Sequence, residues 1–421
     1  MTPRDDPSGR VAITGLGVIT ALGSHVPEFW NHLLAGHSGV RRITQFDPAA
    51  LPCQIAGEIP DFDPTEFTSA KEARRMSRAS QVALAAAHRA LTDSALPLPL
   101  RDPERAGVSF GTAIGGLERT VAGVQLFRAQ GLAKVSPFTI PSGIPNQPAF
   151  YISNVLGPLG PSLTIATACA TGAQAIGEGA ELIRAGRADI VFAGGVEALI
   201  EDFALAGFAA MRALPTSFND DPTRASRPFD ARREGFVFSE GGACVILERL
   251  DQALARGARI YAELAGHASS GDGYHVAAPD PSAAGPIRTM RWALLDADLA
   301  PEEVDYINAH GTSTPANDAV ETLAIKTLFG EAAHRIPISS TKSMIGHAMG
   351  ASGAIEAVVC ALTIKHGTIH PTINYEVPDP ECDLDYVPNV SRQTPVRVAL
   401  SNSFGLGGQN ACLVLKQVEA T

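Results

Sequence analysis

Apolar residues along this chain fall into short runs that alternate with longer stretches of helical spacing. Val11–Thr20 is an apolar run broken by Gly15 and Gly17, the pattern of a buried strand and turn. Apolar positions three and four apart predict helices over Pro27–Ala35 and, more strongly, Ser69–Ala95. Further strands are predicted at Gly107–Thr112, Ser162–Ala168, Ala188–Gly194 and Gly242–Glu248. Helices rich in small residues are predicted at Gly172–Ala185, Pro286–Ala297 and Gly353–Lys365. This alternation predicts α/β layering with largely buried sheets.

Two segments echo each other. Ser162–Cys169 runs into a helix of Gly and Ala, and Ile336–Lys342 runs through Gly346 and His347 into another. Helices with small residues on every face suit a central layer squeezed between two sheets, where backbones approach closely. The expected organisation is a tail over residues 1–10 and two related halves, 11–255 and 256–421, sharing one core. No linker or low-complexity tract separates them.

Composition narrows the class. The chain has 421 residues, 45% hydrophobic and 18% charged, with 40 Gly and 30 Pro, as in a soluble globular protein. No run of about 18 apolar residues predicts a membrane span. Met1–Arg10 is polar with both charge signs, unlike a signal peptide. The net charge of −11 argues against nucleic acid as a partner. Six scattered cysteines without a C-x-x-C pair predict neither disulfides nor structural zinc, and a reducing cytoplasm is the simplest location.

Four segments carry candidate chemistry. Cys169 falls between a predicted strand and a predicted helix, where helix-start amides and the helix dipole favour a thiolate and offer oxyanion donors. His310 follows the strand-like Val304–Ala309, at a strand end able to project into a cleft. Lys342 and His347 share a polar island, and the chain has only six lysines, so this one needs a partner or a function. Ser401–Asn410 holds Gly405, Gly407 and Gly408 around Leu406, a loop that lines a site with backbone amides. Gly15 and Gly17 lack the third glycine and distal acid of a dinucleotide fingerprint, and no P-loop is present. One thiol with imidazole partners is what acyl transfer through a thioester requires.

In these motifs, Thr167-Ala-Cys-Ala-Thr-Gly172, Asn308-Ala-His-Gly-Thr-Ser-Thr314, Lys342-Ser-Met-Ile-Gly-His347 and Asn402–Asn410, the chain resembles the elongating β-ketoacyl-acyl carrier protein synthases, most of all the type II fatty-acid (synthase II) kind. The likeness runs from about Val11 to Lys416. It implies a thiolase-like, five-layered αβαβα fold of two duplicated halves. It implies decarboxylative condensation of malonyl-acyl carrier protein with an acyl group on Cys169, with no cofactor or metal. By the same resemblance His310 and His347 complete the triad, and Lys342 and Glu321 support the histidines and the charge balance. Phe404 is the gate and shares the oxyanion hole with Cys169. Thr312 and Thr314 hold the phosphopantetheine arm, Gly405 is a further substrate-binding residue, and Ile114 closes the acyl pocket. A homodimer is implied, as is an acidic carrier protein met by Lys71, Arg74, Arg75, Lys134 and Arg212. The first three of these cations are expected on one helix face.

Some positions depart from the family pattern. Ile345 stands where threonine is frequent, and Leu406 and Gln409 replace a frequent Phe and Thr. They leave chain length open, and leave a type II polyketide ketosynthase as the alternative. A thiolase would need a second cysteine in the glycine loop, where this chain has none. Initiating synthases carry Asn in place of His347, and non-catalytic chain-length partners lack the nucleophile.

Overall fold

The computed structural model describes residues 9–418, so most of the expected tail lies outside the described residues. The first half contributes strands β1 (Val11–Ile19), β2 (Ala106–Gly111), β3 (Ser162–Leu163), β4 (Ile190–Glu197) and β5 (Gly241–Arg249). The second contributes β6 (Ala262–Gly271), β7 (Tyr306–Asn308), β8 (Ile338–Ser339), β9 (Val398–Gly405) and β10 (Gln409–Lys416). In space the first set runs β3-β2-β4-β5-β1 and the second β8-β7-β9-β10-β6, the same order of third, second, fourth, fifth and first strand. Pairing sense repeats as well. β2 pairs parallel with β3 and β4, as β7 does with β8 and β9, and the remaining pairs within each set are antiparallel. The duplication suggested by two echoing segments therefore extends to the whole topology. The two sets join edge to edge where Ala12 and Ile13 of β1 meet Glu263 and Ala262 of β6.

Five helices complete the layers: α1 (Arg78–Ser94), α2 (Thr171–Arg184), α3 (Ala284–Asp296), α4 (Pro315–Phe329) and α5 (Ser352–His366). α2 and α5 lie against strands of both halves, α1 covers β1 and β5, and α3 covers β6 and β10 with α4 beside it. This is the expected α-β-α-β-α succession. The small residues explain the middle layer. A Cβ on Gly172 of α2 would stand 2.6 Å from the Ala354 nitrogen of α5, and one on Gly353 of α5 would stand 2.7 Å from the Ala173 nitrogen of α2. The two helices touch backbone to backbone, and α5 is buried from Ser352 to Ile364. Burial of that kind rewards Ala and Gly because larger side chains would push the sheets apart.

Two expected elements are shorter than their patterns. The helix over Ser69–Ala95 splits into Ala70–Ala73 and α1. Ser77 adopts extended backbone and accepts the Ser80 amide at 3.2 Å, so it caps a new helix instead of continuing the old one. Lys71 therefore sits in a four-residue helix while Arg74 and Arg75 belong to the turn that closes it, not to one long face. The run Ser162–Ala168 pairs only at Ser162–Leu163. The chain then leaves the ladder, and Ala168 takes a left-handed φ of 49° that turns it into the segment carrying Cys169. Among the described residues no helix is long and apolar enough to cross a membrane.

Candidate active site

The two halves meet over a cavity of about 430 Å³ whose lining includes Cys169, His310, His347, Phe404 and Gly405, together with Thr312, Thr314 and the exposed Arg212. Each functional side chain arrives from a strand end or a helix start. Cys169 lies in the single turn Ala168–Ala170 that feeds α2. His310 stands two residues beyond β7, and its amide and that of Gly311 each donate to the Glu321 carboxylate of α4 at 2.8 Å. Asn402 of β9 reaches the same carboxylate at 3.2 Å. His347 is held by the first half, since its amide donates to the Val237 carbonyl at 2.7 Å and its carbonyl accepts the Ser239 amide at 3.0 Å.

The imidazoles are oriented from behind. Lys342 Nζ lies 3.4 Å from His310 Nδ1, and an ammonium can only donate. Nδ1 is therefore the acceptor, and the ring proton sits on Nε2. Ser352 Oγ, at 2.9 Å from His347 Nδ1, contacts the second ring from behind; a hydroxyl can donate or accept, so it positions that ring without fixing its tautomer. The ring centroids are 5.4 Å apart at 85°, and Phe236 and Phe404 pack edge-on against His347 and His310. Burial, and after it the Lys342 charge, hold both histidines well below the usual imidazole range; for His310 the neighbouring His347 adds to this. Two neutral N–H donors at neutral pH are the result.

Lys342 is itself buried and ion-paired with Glu356 of α5. Glu321 thus braces the His310 backbone, while Glu356 balances the lysine. Burial pushes both carboxyls up to about 7, Glu356 against the pull of Lys342. The sequence reasoning missed Glu356, although it is the one charged residue between Gly353 and Ile364 and the argument made for Lys342 applies to it equally. It also missed Ser352 and Phe236, whose roles come from contact alone.

One expectation is reversed. The start of α2 does not make Cys169 a resting thiolate. Burial pushes its thiol up to about 11, against a hydrogen bond from the Leu406 amide and the nearby Lys342 charge. Cys169 is 4% exposed, and desolvation outweighs those terms. The glycine loop comes close to it. A Cβ on Gly405 would stand 2.7 Å from the Thr167 carbonyl oxygen and 3.2 Å from the Cys169 nitrogen.

The remaining expected residues are spread out. Ile114, on the loop after β2, packs on an apolar cluster that contains Cys169, Leu199, Leu205, Phe238 and Met349. Thr312 and Thr314 face each other with their hydroxyls 2.9 Å apart. Lys71, Arg74, Arg75 and Lys134 do not line the cavity; Arg212 does. Arg75 pairs with Glu72 at 2.7 Å and lies 4.7 Å over the Phe138 ring.

Comparison with known proteins agrees with this geometry. Residues 8–253 match the model of the beta-ketoacyl synthase N-terminal domain, and residues 261–376 match that of the C-terminal domain. The chain is 48% identical over 411 residues to 3-oxoacyl-acyl-carrier-protein synthase 2 of a Synechocystis species, covering 97% of this chain and 98% of that protein. It is 47% identical over 409 residues to the enzyme of the same name from Coxiella burnetii, covering 97% and 99%. Among solved structures, a beta-ketoacyl synthase from Burkholderia phymatum aligns with a TM-score of 0.91 at 36% identity, over 97% of this chain and 100% of that one. A type II PKS ketosynthase, solved bound to a hexaketide and in complex with its acyl-carrier protein, aligns with a TM-score of 0.89 at 37% identity over 97% and 99%. With both domain models matched in order along a duplicated fold, the chain belongs to the beta-ketoacyl synthase family.

Proposed function

We propose that this acyltransferase of fatty-acid elongation works through Cys169 as acyl carrier and through His310 and His347 as enolate donors. One observation carries this assignment: the buried thiol and two neutral imidazoles open on the same cavity. In the first half-reaction Cys169 Sγ attacks the thioester carbonyl of acyl-acyl carrier protein. The carbonyl carbon's bond to the pantetheine sulfur breaks, and the pantetheine thiol leaves with the proton. With the thiol raised to about 11, its proton has to be accepted during attack, not beforehand.

In the second half-reaction the malonyl group loses carbon dioxide, and the electron pair of the broken C–C bond passes into an enolate. His310 and His347 donate Nε2–H to that enolate oxygen. Oriented donors of this type are worth roughly 3–4 kcal/mol each. The enolate carbon then attacks the Cys169 thioester, whose oxygen rests on the Cys169 and Phe404 amides. The S–C bond breaks, and the released sulfur takes up one proton from solvent. Lys342 and Glu321 are positioning residues in this scheme, and Phe404 moves between the two stages. Thr312, Thr314 and Gly405 border the pantetheine arm, Ile114 ends the acyl pocket, and residues 11–255 and 256–421 are the two halves that supply these groups.

The apolar lining around Cys169 favours an aliphatic chain. Intact-protein mass after incubation with acyl-acyl carrier protein is expected to show one saturated acyl group on Cys169. A polyketo adduct formed in preference would move the substrate to the polyketide class.

Carrier docking on Lys71, Arg74, Arg75, Lys134 and Arg212 belongs to the same proposal. An acidic carrier meeting a chain of net charge −11 needs cations near the mouth; the exposed Arg212, which lines the cavity, supports this reading. Charge reversal at Arg74, Arg75, Lys134 and Arg212 is expected to lower activity with carrier-bound substrates about tenfold while sparing small pantetheine thioesters. High salt should reproduce the effect. Equal loss on both substrate types rules docking out.

We also propose a homodimer in the cytoplasm. The segment between β2 and β3 exposes Phe127, Leu132, Ile140, Ile144, Phe150 and Leu159, beside the short edge strand β3. A covered apolar face and a strand edge continued across a two-fold axis account for both. Light scattering should give twice 44.0 kDa, and a monomer at micromolar concentration would refute it. Six unpaired cysteines, all buried, suit a reducing compartment.

A further inference from the structure

Glu197, the last residue of β4, is wholly buried, and apart from a charge that adds to the rise of the Cys169 thiol it takes no part in the chemistry above. Its carboxylate nevertheless gathers two separate segments. One oxygen accepts the Thr112 hydroxyl at 3.0 Å and the Ile114 amide at 3.3 Å. The other accepts the Ala113 amide at 3.0 Å and the Gly350 amide at 3.3 Å. Thr112 Oγ1 also receives the Gly115 amide at 2.9 Å, so the loop from Thr112 to Gly115 is held at every residue. Gly350 belongs to the turn Met349–Ala351, which links His347 to α5 and to Ser352, the residue that orients the His347 ring.

The contact between loop and turn is close. A Cβ on Gly350 would stand 2.5 Å from the Ala113 nitrogen and 3.1 Å from the Glu197 carboxylate, and one on Gly195 would stand 2.5 Å from the Gly350 carbonyl oxygen. Four donors converge on one acceptor group that water does not reach. A neutral amide in its place cannot accept them all, because one of its two ends donates. Burial pushes the carboxyl up to about 7, against these hydrogen bonds, so the site is costly and held by them.

We infer that Glu197 is a positioning residue that fixes the floor of the acyl pocket against the His347 turn, and so governs which acyl chain lengths reach productive register. Ile114's place at that floor, and Cys169 as the acyl carrier, are the parts of the proposed function on which this rests. A chain long enough to touch the Thr112–Gly115 loop feels the loss of the anchor; a short chain does not.

The experiment compares wild type, Glu197→Gln and Thr112→Val with short and long saturated acyl thioesters, reading acyl-enzyme formation on Cys169 and, separately, carbon dioxide release from a malonyl thioester. Glu197→Gln is expected to lower the long-to-short ratio of kcat/KM about tenfold, the scale of a lost buried hydrogen bond to a charged group, and to slow decarboxylation through the freed Gly350 turn. Thr112→Val, which releases the loop without touching Gly350, is expected to shift the ratio in the same direction while decarboxylation holds. An unchanged ratio in a folded variant, or a loss of equal size for all chains and for decarboxylation, overturns the inference. Should Glu197→Gln fail to fold, Thr112→Val alone decides it. A wild-type enzyme that forms no Cys169 adduct would instead overturn the function on which the inference depends.

Discussion

Cys169→Ala is expected to lower condensation by roughly a million-fold, the scale for removing a covalent nucleophile, while leaving the enzyme folded. The side chain is small and buried, and Ala fills most of its space, so the cost in stability should stay near 1 kcal/mol. No other described cysteine lines the cavity that holds the histidines. Malonyl decarboxylation should survive within about tenfold, since in the proposed scheme the enolate rests on His310 and His347 and not on the sulfur. The converse variants separate the roles. His310→Ala and His347→Ala should each cut carbon dioxide release by roughly a hundred- to a thousand-fold, the cost of losing one oriented donor. Isotope-labelled malonyl thioester and a carbon dioxide trap give both readouts. Elongation by Cys169→Ala at near wild-type rate, or undiminished decarboxylation in both histidine variants, would remove the assignment.

Lys342→Met is expected to have a large effect on two separable quantities. The lysine is buried against Glu356, and deleting it leaves a carboxyl group without its counter-charge in the core. Roughly 3 kcal/mol of stability should be lost. His310 Nδ1 also loses the donor that fixes its tautomer, and decarboxylation should fall about a hundredfold. The double change Lys342→Met with Glu356→Gln should regain most of the melting temperature, because the uncompensated carboxyl is gone, yet leave decarboxylation low. Recovery of both together would make Lys342 a structural residue only.

The pH dependence has a definite sign. Burial and then the Lys342 charge hold His310 below its ordinary range, and in the proposed scheme the neutral ring is the active form. Removing the charge raises the His310 pKa, so residual activity in the variant should be lost as pH falls through a higher value than in wild type. A profile unshifted between the two would contradict this account.

Much of the molecule was legible in the order of residues. Strand and helix periodicity placed β1, β2, β4, β5, α2 and α5 to within a few residues, because the four strands are buried along nearly their whole length and the two helices carry mostly small or apolar residues. Small residues in Thr171–Arg184 and Ser352–His366 marked the central layer before any contact was known, since only Gly and Ala allow two backbones to approach as Gly172 and Ala354 do. Cys169, His310, Lys342 and His347 stood out as reactive residue types in segments otherwise poor in charge. What local pattern could not convey was anything set by groups distant along the chain. The Cys169 thiol is raised and not lowered, because desolvation by several packed segments outweighs one helix start. Glu356 pairs with Lys342, and Glu321 with the His310 backbone, only after α4 and α5 are laid beside the site. Ser77 divides a periodic helix by capping the second part, and the basic residues at 71, 74 and 75 are parted with it. The residue sequence by itself determined which chemistry this protein carries and the layers that hold it. Tertiary structure alone decided the charge states, partners and register of the groups, because burial and hydrogen bonding depend on what folding brings within a few ångströms, and local sequence spacing does not record that.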